Sequence, residues 1–182
     1  MKTLYCLLLA IVWIPLAGSA QSLPSAQSIM RDASTRAAAA NKNVILIFHA
    51  SWCGWCHKMD SSLSDPACKA YFDRSYVIAH VDIDETPDHK QEENPGAYEL
   101  RKTHRGEGQG LPYWVILDPQ GNLLADSQLR PEGAAAASKG DNIGCPAAVN
   151  EVSHFISILR STSHITPAEE AAVAERFRRN ED

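Results

Sequence analysis

The sequence has no apolar stretch long enough to cross a bilayer. Its longest, Leu4 to Leu16, runs for about a dozen residues, whereas a membrane-spanning helix needs roughly 20. There is no second Cys-x-x-Cys motif, so the paired ligands of a structural zinc site are missing. Methionine is scarce, three in all including Met1, which leaves few thioethers to act as metal ligands. Basic residues are not in excess: 17 Lys and Arg stand against 22 Asp and Glu, a net charge of −5. That balance argues against nucleic acid or an anionic membrane surface as partner. No internal repeat is visible, and the alanine clusters at 37–40 and 134–137 are too short to count as low complexity.

What is present begins with Met1-Lys2, the apolar stretch, and small residues at Gly18, Ser19 and Ala20. This is the pattern of a secretory signal peptide, residues 1–20. Cys6 lies too early to be a lipidation site at the cleavage point, so no membrane anchor is expected after cleavage. Removal of that segment takes one charge, Lys2, and leaves 162 residues with a net charge of −6, enough for one domain with its own core. A domain over 21–162 followed by a peripheral C-terminal helix over 163–182 accounts for the length. Four cysteines remain in a chain destined for the periplasm or the exterior, an oxidising setting in which every thiol requires a reason.

Residues 25–40 are alanine-rich, with Ile29, Met30 and Ala33 at helical spacing. Val44-Ile45-Leu46-Ile47-Phe48 is an unbroken apolar run, as in a central strand covered on both faces. From Cys53 the pattern turns helical to Leu63, is interrupted at Ser64-Asp65-Pro66, and restarts over Ala67 to Phe72. Tyr76 to Ile83 reads as a second strand parallel to the first. Residues 84–110 are polar, with a candidate short helix at Ala97 to Lys102. Tyr113 to Leu117 and Asn122 to Asp126 form a hairpin around Asp118-Pro119-Gln120-Gly121. A loop then precedes a helix over Pro146 to Leu159, whose Val149, Val152, Ile156 and Leu159 share one face. Thr166-Pro167-Ala168-Glu169 opens the last, mostly polar helix through Phe177.

A strand that ends directly in Cys-x-x-Cys places the first sulfur at the open end of a helix. Unpaired backbone N–H groups and the helix dipole there favour the thiolate, the form that attacks disulfides. Cys53 is the candidate nucleophile, and Cys56, one turn on, is placed to resolve a mixed disulfide.

The segment Trp52-Cys53-Gly54-Trp55-Cys56-His57, the strand before it, Val81-Asp82-Ile83-Asp84, Asn94-Pro95-Gly96 and Gly110-Leu111-Pro112, in this order, resemble the thioredoxin superfamily. The likeness is to its secreted bacterial members with a WCxWCH-type site, and it runs from about Ala26 to Leu159. The resemblance implies an α/β, thioredoxin-like three-layer sandwich: a mixed central sheet of about four strands flanked by helices, here with an extra C-terminal helix. It also implies that Pro112 is cis and faces the cysteines, with the Leu111 backbone holding an extended substrate segment. Trp52 and Trp55 would form an apolar rim where protein substrates dock. The expected partners are protein thiols or disulfides and a redox-recycling partner, and no bound cofactor or metal is required.

Thioredoxin itself keeps a buried aspartate on the strand before the cysteines and a lysine on the neighbouring strand. Ile47 and His80 stand at those positions, which weighs against efficient thioredoxin-type reduction. His80 reads either as a participant in proton transfer or, the favoured reading, as a core histidine. His49 and His57 flank the site and could tune the thiols. Cys68 and Cys145 are a candidate structural disulfide. However, Cys68 lies 15 residues beyond Cys53, about 20 Å along a straight helix, and only the break at Pro66 and the loop before Cys145 shorten that span. Two rival chemistries use the same residues. Cys53 to His57 is a literal c-type haem attachment motif, although Met59 is too close to His57 to reach the opposite haem face. A zinc site would need a distant fourth ligand. A non-catalytic binding module of the same fold is the remaining alternative.

Overall fold

A computed structural model describes residues 22–135 and 137–181, so the expected signal peptide lies outside the described residues. The strand β1, Asn43–His49, organises the rest. Its Val44, Leu46 and Phe48 point to one face and Ile45 and Ile47 to the other, and all five are at most 1% exposed. A strand buried on both faces needs a neighbour on each edge to satisfy its backbone. β1 pairs in parallel with β2, Tyr76–Asp82, and antiparallel with β3, Tyr113–Leu117. The hairpin to β4, Leu123–Asp126, completes a mixed four-stranded sheet in the order β2-β1-β3-β4.

One face carries α1, Ala26–Ala40, and α4, Ala97–Thr103. Ser25 caps α1 by accepting the Ser28 N–H, and Asn41 ends it in the left-handed region at φ 53°. Ala26, Ala33 and Ala37 are fully buried, so the alanine-rich helix lies close against the strands. The other face carries α2, Gly54–Leu63, α3, Lys69–Ser75, α5, Val149–Thr162, and α6, Pro167–Arg178. α5 starts later than its apolar pattern suggests. The Glu151 carboxylate accepts the N–H groups of Ala147 and Ala148, both at 3.0 Å, and holds them outside the helix. A short helical turn at Pro87–Glu92 was not anticipated. A two-residue ribbon, β5 at Gln128–Leu129 with β6 at Asp141–Asn142, lies between β4 and α5.

The C-terminal helix is not peripheral, and this corrects the sequence reading. Val173 and Phe177 of α6 are fully buried. The Phe177 ring lies 4.9 Å from that of Phe155 and 6.4 Å from that of Phe72, inside the same core as Ile45, Ile47 and Trp114. Two apolar residues one turn apart suffice because both are spent on one spot, while the polar side chains face water or reach neighbouring elements, Glu169 to Arg74, Glu170 to Arg160 and Arg176 to Asp65. Replacement Phe177→Ala is therefore expected to destabilise by about 3–5 kcal/mol, whereas Glu175→Ala on the exposed side stays within about 0.5 kcal/mol. Denaturant unfolding of the two variants checks this; equal, small losses would return α6 to the periphery.

Candidate active site

β1 ends at His49, Ala50 is buried, and Ser51 and Trp52 turn the chain so that the Cys53 N–H reaches Ala50 O at 3.0 Å. Cys53 keeps an extended backbone, φ −79° and ψ 97°, and caps α2: its Sγ accepts the Cys56 N–H at 3.1 Å. Cys53 and Cys56 are joined as a disulfide, with their Cα atoms 5.2 Å apart. Both are nearly buried, packed with Ala50 and Leu111. Trp52 and Trp55, by contrast, are 56% and 47% exposed, an unusual placement for large aromatics.

The acidic loop after β2 fixes the turn. Glu85 is buried, and its carboxylate accepts the Ser51 N–H at 2.5 Å and the Ser51 O–H at 2.7 Å. Burial pushes the Glu85 carboxyl up, but the two Ser51 bonds and the nearby His89 and His49 outweigh it, and the group is held below its ordinary value. The Trp52 indole donates to Asp84 O at 2.9 Å. Asp84 has φ 57°, a left-handed backbone, and its carboxylate is held by buried Arg101 at 2.5 Å. Lys58 sits 4.8 Å over the Trp55 ring. Sequence reasoning missed Glu85, Asp84 and Lys58 as parts of the site, because each is an ordinary surface residue type whose partner is known only once the loop and α2 are folded.

The Leu111-Pro112 peptide is cis. Gly110 O and Pro112 O both accept from the Asn142 side chain, at 2.8 and 3.0 Å, while among the described residues neither the N–H nor the C=O of Leu111 has a partner. That free edge borders a recess of about 590 Å³ lined by Trp55, Gly110, Leu111, Asn142, Gly144 and Cys145.

The histidines take three different places. His57 turns back to Ser51 O at 3.0 Å and is exposed. Met59 is fully buried in the core beneath α2. Among the described residues no group of three or more His, Cys, Asp or Glu side chains is placed to hold a metal ion. His80 is not a core histidine: its side chain is 35% exposed and bonds Asp60 of α2 at 2.8 Å. His49 pairs with Asp82 at 3.0 Å, and its ring lies 4.9 Å from that of His80. Ile47, opposite His80 in the β1–β2 register, is buried.

Cys68 and Cys145 are separate buried thiols, not a disulfide. Cys68 Sγ faces Ala172 O at 3.7 Å, and Cys145 Sγ accepts from Asn180 at 3.3 Å. Those partners are eight residues apart, about 12 Å at the rise of a helix, so α6 separates the two sulfurs. Burial pushes the thiols up to about 11 and about 12 respectively. Both are expected to resist alkylation at pH 8 in the folded protein and to react on unfolding. Mass spectrometry of nonreduced protein checks this; a cross-linked Cys68–Cys145 peptide would contradict it.

Three imidazoles are lowered from 6.5 mainly by burial: His49, also by His80 and against Asp82, Asp60 and Glu85; His104; and His154, against Gln128 and Asp126. They bind protons less readily folded than unfolded, so their contribution is complete above about pH 6.5 and declines as the pH falls below it. His89 is raised by Glu92 and acts oppositely, but it is exposed and well screened. The urea midpoint is expected to be lower at pH 5.5 than at pH 7.5, and an unchanged or higher midpoint would contradict this.

A thioredoxin-like domain family profile matches residues 30–137. The chain belongs to the thioredoxin-like domain family. That fold together with the Cys53–Cys56 disulfide supports a thiol-disulfide oxidoreductase. No curated protein sequence matches the chain. Among solved structures it is similar to a disulphide isomerase from Xylella fastidiosa Temecula1, at 14% identity and a TM-score of 0.48, covering 94% of this chain and 99% of that one. It is also similar to a DsbH oxidoreductase, at 21% identity and a TM-score of 0.42, covering 82% and 91%. The C-terminal domain of DsbD from Neisseria meningitidis in its oxidised form is similar at 21% identity and a TM-score of 0.41, covering 58% and 84%.

Proposed function

We propose that this chain is exported to the periplasm or beyond and exchanges dithiol for disulfide with polypeptide substrates that lie extended along Leu111. The observation that carries the reading is the juxtaposition of an unpaired Leu111 backbone edge with a buried Cys53–Cys56 disulfide whose rim is two exposed tryptophans. An extended chain satisfies such an edge by adding a short strand-like pairing, and the tryptophans supply contact area around it.

In the reductive direction the Cys53 thiolate attacks one sulfur of a substrate disulfide. The substrate S–S bond breaks, its second sulfur leaves as a thiolate, and a mixed disulfide forms. The Cys56 thiolate then attacks Cys53 Sγ, the mixed disulfide breaks, and the substrate departs with both thiols while the chain keeps the two-electron oxidation as its own disulfide. The oxidative direction is the reverse. The N-terminus of α2 favours the thiolate of Cys53 in both. Reset requires a second dithiol or disulfide protein, and no cofactor enters because all electrons reside on sulfur. Direction follows from the potential of the pair relative to its compartment. Export rests on the pattern of residues 1–20. Among the described residues no helix is long and apolar enough to cross a membrane.

The test uses two variants of the mature protein. Cys56→Ser is expected to accumulate mixed disulfides that dithiothreitol releases, because the resolving thiol is gone. Cys53→Ser is expected to capture no partner and to lose exchange activity. Exchange that survives in Cys53→Ser, or is absent from the wild type, defeats the reading and leaves a binding module.

A further inference from the structure

We infer that Asn142 is a positioning residue for substrate capture: its side-chain amide holds the Gly110–Pro112 segment so that the Leu111 backbone stays presented beside Cys53. This rests on the exchange reading above and adds to it a residue outside the redox motif and outside the Leu111-Pro112 pair.

A primary amide has two N–H bonds and one acceptor oxygen, and Asn142 uses all three. Nδ2 donates to Gly110 O at 2.8 Å and to Pro112 O at 3.0 Å. Oδ1 accepts the Gly144 N–H at 3.1 Å. The two carbonyls it takes are those on either side of Leu111. With both neighbours occupied, Leu111 is the one residue of the segment whose N–H and C=O remain without a partner among the described residues.

Asn142 is itself held in place. It pairs with Gln128 in the β5–β6 ribbon. Gln128 is buried, and its side chain bonds Gly140 N at 2.9 Å, Arg105 O at 3.1 Å and the Tyr113 hydroxyl at 3.2 Å. The start of the ribbon is clamped by Arg130 on Asp126, two bonds of 2.7 Å. Its far side is tied back by the Trp114 indole donating to Gly144 O at 2.8 Å. The segment between β4 and α5 thus brings a rigid donor to the substrate-facing loop. Holding that loop before the substrate arrives reduces what must be ordered on binding.

Asn142→Asp is the discriminating substitution. It is nearly isosteric and keeps an acceptor for Gly144 N, but it replaces both donors with a carboxylate facing two carbonyl oxygens. For a cysteine-containing unfolded polypeptide, KM is expected to rise about tenfold while kcat changes by less than about twofold. Loss of interactions that position the substrate, with the chemistry intact, produces that split. If Asn142→Asp does not fold, Asn142→Ser, which keeps a single hydroxyl donor, is measured in its place and is expected to give a smaller rise of the same kind. An unchanged KM in a wild-type-like fold overturns the inference, as does a fall in kcat equal for the polypeptide and for glutathione disulfide. A wild type without exchange activity overturns the underlying reading instead, and this inference with it.

Discussion

The Cys53 sulfur accepts the Cys56 N–H at 3.1 Å, and at that contact the strand, the helix and the redox chemistry meet. For it to exist, β1 must deliver Cys53 to the first turn of α2 with no residue to spare. β1 cannot slip by one position, because Ile45 and Ile47 would then exchange faces with Val44, Leu46 and Phe48, and every buried side chain would meet the wrong layer. The helix cannot slide either: Met59 and Leu63 are embedded in the core, and Lys58 and Ser62 bond Asn180 beyond α6. The position of the sulfur is thus a consequence of core packing on both sides of the sheet.

Orientation at the surface is set differently. The turn before Cys53 and the Leu111-Pro112 segment are surrounded by backbone groups that no hydrophobic layer could fix. Buried or tethered polar side chains hold them: Glu85 on Ser51, Arg101 on Asp84, Asn142 on Gly110 and Pro112. Hydrogen bonds are directional where apolar contacts are not, so they suit the task of leaving one chosen edge free. The division has an energetic consequence. Damage to the layers, as at Phe177, is felt in stability, and damage to the polar ring is felt in how substrate is met.

What was legible in the sequence is what depends on neighbours in the chain. The apolar run of β1, the Cys-x-x-Cys at the start of the following helix and the hairpin around Asp118 to Gly121 follow from local pattern, whereas the mixed sheet as a whole was implied by the resemblance. Asn142 was not legible, since it is 30 residues from Pro112 and an asparagine in a glycine-rich loop reads only as a turn former. The burial of α6 was hidden because Val173 and Phe177 are too few to dominate its composition. His80 was misread because strand alternation gives the face but not the exposure: it lies on the sheet's outer strand β2, where Asp60 can reach it from α2. Cys68 and Cys145 were candidates for a pair only because an oxidising setting asks a reason of every thiol; burial on either side of α6 supplies that reason instead.

Ile47 gives the site its particular character. A carboxylate at that depth would suffer the full penalty of desolvation. An isoleucine avoids that penalty and fills the space under α2 with hydrocarbon. The ionisable groups on this side of the sheet are displaced to its edge, where His80 meets Asp60 and His49 meets Asp82 on side chains that retain contact with water. The polar contact of the Cys53 sulfur is instead the Cys56 N–H at the start of α2, an arrangement set by the helix and not by an ionised side chain.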